Sequence, residues 1–218
     1  GNAILSVSKI IVGLLAGSLA VLGDGIDSAT DVIISIVMIF TARIMSRPPS
    51  KKYVFGYEKA ESIATKILSL VIFYAGVQML LSSIESIFSD EVKEIPAPVA
   101  IYVTVFSIIG KLLLALYQYL QGSKINSSML TANDVVISSG VLLGLIFTFI
   151  FKLPILDSVT GLIISLFIIK SSIGIFMDSN VELMDGVKDV NIYNKIFEAV
   201  EKVPGAGNPH RVRSRMIG

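Results

Sequence analysis

The chain of 218 residues has no cysteine, only one histidine and little charge. Without cysteine there are no disulfides and no thiolate metal sites, so a bound metal must sit on oxygen or imidazole. The one imidazole is His210. The net charge of +1 gives no bulk attraction for nucleic acid. Only 16% of residues are charged, against about 25% in soluble domains. The first residues show no cationic leader and no small-residue cleavage site, so no cleavable signal peptide is expected.

What is abundant is apolar sequence. Hydrophobic residues make up 53% of the chain and the mean hydropathy is +0.78, the composition of a membrane protein. About six stretches are long enough to span a bilayer, near 3–22, 26–46, 60–82, 97–120, 127–151 and 154–178. The breaks carry turn chemistry. Gly23-Asp24-Gly25 is read as a tight turn, and Arg47-Pro-Pro-Ser-Lys-Lys52 as a polar, helix-breaking loop. Ser89 to Pro96 is acidic, Gln121 to Asn126 is a polar link, and Phe151-Lys-Leu-Pro154 is the shortest break.

Arg43, Arg47, Lys51 and Lys52 surround the second loop, Lys124 lies in the fourth, and Asp90, Glu91 and Glu94 dominate the third. Basic loops stay on the cytoplasmic side, which puts both termini there. The expected architecture is all-α. Residues 1–180 form a six-helix transmembrane domain, and 181–218 form a linker and the start of a small α+β cytoplasmic domain, which reads as truncated. Residues 187–202 have the pattern of an amphipathic helix, with Ile192, Ile196, Phe197 and Val200 on one face.

Asp27 and Asp31 stand out within the apolar sequence. The i, i+4 spacing puts both carboxylates on one helix face, just before the apolar run Val32 to Ala42. One charge at a bilayer centre costs at least ~2.5 kcal/mol. A divalent cation, shared protons or a water-filled cavity would offset that cost. Acids also suit the first turn of a helix, a reading that fits Asp24 well and Asp27 less well.

The segment Ala29-Thr-Asp-Val-Ile-Ile-Ser35 is echoed by Ala132-Asn-Asp-Val-Val-Ile-Ser138, which aligns Asp31 with Asp134. Both acids are expected at similar depth, on helices of the same direction. Asp134 is then either a third carboxylate ligand or part of an interhelical hydrogen bond. Asn133 is an optional carbonyl ligand or a supporting partner, and Thr131 and Ser138 are weaker candidates. Lys59, Asp185 and His210 read by themselves as solvated or surface groups.

At these residues the chain resembles the cation diffusion facilitator family of divalent-metal/proton antiporters. Asn2 and Lys9, Gly23-Asp24 with Asp27 and Asp31, Phe55-Gly-Tyr-Glu-Lys-Ala-Glu61, and Ser127 to Asp134 match its motifs in order. So do Leu156 to Gly161, Val181 to Gly186, and Pro204 to Arg213. The resemblance implies a homodimer in the bilayer; the cell (inner) membrane is the expected location, and no enzymatic activity is expected. It implies Asp27, Asp31 and Asp134 as ligands of the transported metal, and Lys59 with Asp185 as a charge interlock between the bundle and the cytoplasmic domain. His210 corresponds to a cytoplasmic-domain metal ligand. Leu130 occupies the usual place of a fourth ligand. Ser50, Tyr53 and Tyr57 stand where zinc-transporting members carry an accessory His and Asp site.

Oxygen-only ligation favours Mn²⁺ or Fe²⁺, leaves Zn²⁺ and Co²⁺ open, and disfavours Mg²⁺. Neighbouring acids tend to share protons, and an arriving metal must displace them, so proton antiport is expected. Two other classes also put acids in a membrane. An intramembrane aspartyl protease would need Gly-x-Gly-Asp and Tyr-Asp settings, which Val21-Leu-Gly-Asp24 and Asp31 do not supply. A passive cation channel would need no proton coupling.

Overall fold

A computed structural model describes residues 2–54, 56–57, 59–89, 95–120, 125–186, 191–203, 205 and 212, without the side chains of 114, 115 and 117–134. The described residues form seven helices: α1 (Asn2–Ala16), α2 (Leu19–Met45), α3 (Ala60–Phe88), α4 (Val99–Leu120), α5 (Ile125–Phe151), α6 (Ile155–Leu183) and α7 (Asn191–Glu201). The chain divides into two compact units. One comprises Gly1–Ile36 with Leu70–Ile173, the other Val37–Ser69 with Gly174–Gly218.

α2, α3 and α6 are long and apolar enough to cross a membrane. Asn2–Ala16, Val99–Leu113 and Val135–Phe151 are shorter apolar stretches. The helical period decides what each helix buries. Leu5, Lys9, Gly13 and Ala16 form the inner face of α1, and Ala100, Thr104, Ser107 and Lys111 that of α4. α4 packs against α1 and α5.

The first unit is polar inside and oily outside. Ser6, Ser18, Ser28, Ser83, Thr104, Ser138 and Thr148 are buried, while Leu14, Leu15, Phe106, Leu113, Ile150 and Phe167 are more than half exposed. That inverts the soluble pattern and suits lipid, where small residues let helices approach and large apolar ones face acyl chains.

The turn expected at Gly23-Asp24-Gly25 is not there. All three lie inside α2, and the chain turns at Gly17-Ser18. Gly17 has φ +67°, a conformation that glycine adopts without Cβ strain. Ser18 Oγ accepts a hydrogen bond from the Val21 amide at 3.2 Å, as a helix N-cap does. From α6, Asp157 accepts the Ser18 hydroxyl at 2.5 Å and the Leu19 amide at 2.7 Å. A carboxylate at this N-terminus also opposes the helix dipole favourably. With the cap in place, the two glycines serve packing instead. A Cβ on Gly25 would lie 2.9 Å from Ile10 of α1.

The expected common direction of the second and fifth helices is also overturned. Gly161 lies against Leu19 and Gly23 against Ile164, so α2 and α6 run parallel. α5 reverses into α6 at Lys152–Pro154, and Gly144 lies against Thr160. α2 and α5 are therefore antiparallel, because short turns alternate helix direction whatever sequence two helices share.

In the second unit, α7 forms where the amphipathic pattern predicts a helix and has no buried residue. No strand occurs among the described residues.

The cap at α2 is open to test. Asp157→Ala should lower stability by about 1–3 kcal/mol, the scale of lost hydrogen bonds to a charged acceptor. Thermal unfolding of the detergent-solubilised protein would read the loss, and an unchanged midpoint would rule out the capping role.

Candidate metal-transport site

α2 is the helix around which the first unit's charges gather. Asp24, Asp27 and Asp31 fall at i, i+3 and i+7, on one face. They differ in surroundings: Asp24 is fully buried, Asp27 half-buried and Asp31 exposed. Asp31 lines a narrow crevice, too tight for a water molecule, with Ser28 of α2, Asn2 and Leu5 of α1, and Lys111 of α4. A separate cavity in this unit, lined by Gly17, Glu85, Ser86 and Asp157 among others, shares no residue with it.

Beside the acid pair lies an ionic centre built by four helices. Lys9 Nζ of α1 is 2.7 Å from Asp24 Oδ2, with both side chains fully buried. Lys111 Nζ is 3.8 Å from Asp24 Oδ1. Ser138 of α5 donates to Asp24 Oδ1 at 2.8 Å and accepts from Lys9 at 3.3 Å and Lys111 at 3.2 Å. Lys9 also donates to Ser28 at 3.4 Å. Asp27 is within electrostatic reach of Lys9.

The centre depends on local sequence. Gly13 and Gly25 let α1 and α2 approach closely enough for Lys9 to reach Asp24. Lys111 sits on the small-residue face of α4, which leaves room for its stem. Attraction between opposite charges is strong in a medium of low dielectric, and so is the desolvation cost it must offset. Ser28, which accepts from Lys9, and Ser138, which accepts from Lys9 and donates to Asp24, help offset that cost.

Sequence reading missed most of this centre. Lys9 and Asp24 stand out only through the motif match, Asp24 also as part of an expected turn, and Lys111 belongs to none of the motifs. The signal was available, since a lysine in Gly110-Lys-Leu-Leu-Leu114 is an ionisable group within an apolar span, which is a functional hypothesis by default.

The remaining candidates fall in several places. The backbone of α5 carries positions 133 and 134 one turn before Ser138, but the side chains of Asn133 and Asp134 lie outside the described residues, as does His210. Among the described residues, no three carboxylate or imidazole groups gather.

In the second unit, Lys59 Nζ is 3.1 Å from Asp185 Oδ2 and donates to the Leu183 carbonyl at 2.7 Å. Asp185, at φ +55°, ends α6, and the Gly186 amide returns to the Val181 carbonyl at 2.7 Å. That is the bonding of a left-handed C-terminal cap, in which a lysine also satisfies a terminal carbonyl. Ser62 adds a bond to Glu182 at 3.0 Å, and Lys66 lies 5.0 Å from the Phe176 ring centre. The Lys59 and Asp185 side chains are each 45% exposed, so their charge attraction alone adds little.

Comparison with known proteins agrees with a membrane carrier of cations. The family model described as the cation efflux transmembrane domain matches residues 1–184. The manganese efflux system protein MneS of Bacillus subtilis is 31% identical over 223 residues, covering 99% of this chain and 75% of that protein. The uncharacterized transporter MJ0449 of Methanocaldococcus jannaschii is 31% identical over 228 residues, covering 100% of this chain and 78% of that protein. The manganese efflux system protein MneP of Bacillus subtilis is 28% identical over 229 residues, covering 100% and 76%. With its long apolar helices, the chain is a multi-pass membrane protein.

The buried pair makes a definite prediction. Asp24→Ala takes the shared carboxylate from Lys9 and Lys111 and should cost about 3–5 kcal/mol, whereas Lys9→Met leaves Asp24 with Lys111 and should cost less. The double variant should recover much of that loss. Equal, additive losses in thermal unfolding would show that the two groups do not interact.

Proposed function

As the chain belongs to the cation efflux family, we propose that it exports a divalent transition-metal ion in exchange for protons. Its ligands in this reading are Asp27 and Asp31 of α2 and Asp134 of α5, with Asn133 beside them.

The observation that carries the reading is the register between two antiparallel helices. Ser138 of α5 hydrogen-bonds Asp24 of α2, which pins the two helices at that level. At the α-helical rise, Asp27 and Asp31 stand about 4.5 and 10.5 Å further along α2. Position 134 stands about 6 Å back along α5, in the same direction because the helices are antiparallel. Backbone positions 27, 31 and 134 thus share one axial layer, next to the crevice that Asp31 lines, which supports the reading.

The exchange follows from ligand chemistry. Neighbouring carboxylates away from bulk water share protons, and a metal ion binds only by displacing them. Metal and protons then use the same acids in turn. Carboxylate and amide oxygens favour Mn²⁺ or Fe²⁺ over Zn²⁺ or Co²⁺. That preference agrees with two of the relatives being named for manganese efflux.

In the fuller reading the protein crosses the cell (inner) membrane six times as a homodimer, with both termini in the cytoplasm. Residues 181–218 lead into a cytoplasmic domain in which His210 binds metal. Lys59 and Asp185 tie the end of α6 to the start of α3 where that domain begins. A passive cation channel would move ions without opposing proton flow, and an intramembrane aspartyl protease would cleave peptide.

Two outcomes are expected in proteoliposomes and binding assays. Asp31→Ala should abolish Mn²⁺-driven proton movement while the protein still folds, and full transport by that variant would end the proposal. Mn²⁺ or Fe²⁺ should outcompete Zn²⁺ for the wild-type site; much tighter zinc binding would contradict oxygen-only ligation.

A further inference from the structure

We infer that Lys111 tunes the affinity of the transport site, as a tethered ammonium that sets how tightly the acids hold their metal. The inference rests on the reading of Asp27 and Asp31 as transport acids. It adds to that reading a positively charged group from a helix that supplies no ligand.

Three observations meet at this lysine. Lys111 is 3% exposed, and it lines the same narrow crevice as Asp31. On another side it donates to Ser138 at 3.2 Å and lies 3.8 Å from Asp24 Oδ1. Asp24 is already in tighter contact with Lys9, at 2.7 Å. One carboxylate therefore faces two ammonium groups, of which Lys111 is the more distant.

The Lys111 charge lies on the same side as Asp31, and Asp27 and Asp31 follow Asp24 at i+3 and i+7. With the two lysines, the three α2 aspartates and the proposed ligand Asp134 all ionised, the charge sums to −2. Without Lys111 it would be −3. Removing a fixed positive charge from a low-dielectric site deepens the well for a divalent ion. Lys111 keeps that well shallow enough for the metal to leave. A lysine suits this role, because its compact charge sits on a flexible four-carbon stem. As metal enters, the ammonium retains Ser138 and Asp24 as partners and does not have to stay beside the ligands.

The test compares Lys111→Met with Lys111→Arg in proteoliposomes, measuring Mn²⁺ transport by the full chain. Lys111→Met should lower KM about tenfold and also slow turnover, because a deeper well retards release. Lys111→Arg keeps the charge and should restore both. An unchanged or higher KM in folded Lys111→Met overturns the inference, as does a lowered KM that Lys111→Arg fails to restore. Should Lys111→Met not fold, Lys111→Gln, which can still donate to Ser138, is read by the same criteria. Asp31→Ala run in parallel separates the two levels. Transport by that variant overturns the site itself, whereas its silence beside an unaltered Lys111→Met overturns only the role of the lysine.

Discussion

The ion pair between Lys9 and Asp24 is the constraint on which the first unit depends. Neither side chain reaches solvent. Two opposite charges held 2.7 Å apart in a poor dielectric attract strongly, but each has given up its hydration. The balance is favourable only if surrounding groups complete the hydrogen bonding. Ser28 of α2 and Ser138 of α5 do so, and Lys111 of α4 adds a second positive charge 3.8 Å from Asp24. One carboxylate thereby fixes the register of four helices, including the two that carry the proposed transport acids.

The same physics explains the inside-out core. Between lipid-facing helices the hydrophobic effect gives little drive to associate, so close approach and polar contacts hold the bundle. Glycines at 13 and 25 let α1 meet α2, and small hydroxyl residues fill the interior. At one end of α2, Asp157 anchors the first turn through Ser18 and Leu19. Further along the same helix, Asp24 anchors it to α1, α4 and α5. A helix fixed at two points can hold Asp27 and Asp31 at a defined level even though they are less buried than Asp24.

Much of the architecture is legible in the residues. Long apolar stretches separated by Pro, Lys and acidic loops mark helices, because an unpaired backbone is intolerable in lipid. The i, i+4 spacing of Asp27 and Asp31 reveals their common face, and the echo at Asp134 marks a second helix. Other features mislead. Gly23-Asp24-Gly25 has the composition of a turn, yet the chain turns earlier, at Gly17, where Asp157 of the distant α6 caps the start of α2. The seven-residue echo suggests two helices of like direction, and the short turn before α6 makes them antiparallel.

The sequence by itself determined that this is a membrane protein with acids on one face of its second helix, because composition and helical period are local properties. It also determined the family, through motifs spread in order along the chain. Only the tertiary structure decided that Asp24 belongs to a buried ionic centre, that Lys9 and Lys111 converge on it, and that Ser138 ties α5 to α2. Those facts depend on which helices become neighbours and how far each slides along the next. That is settled by close packing at glycines and by the cost of leaving any buried charge without a partner.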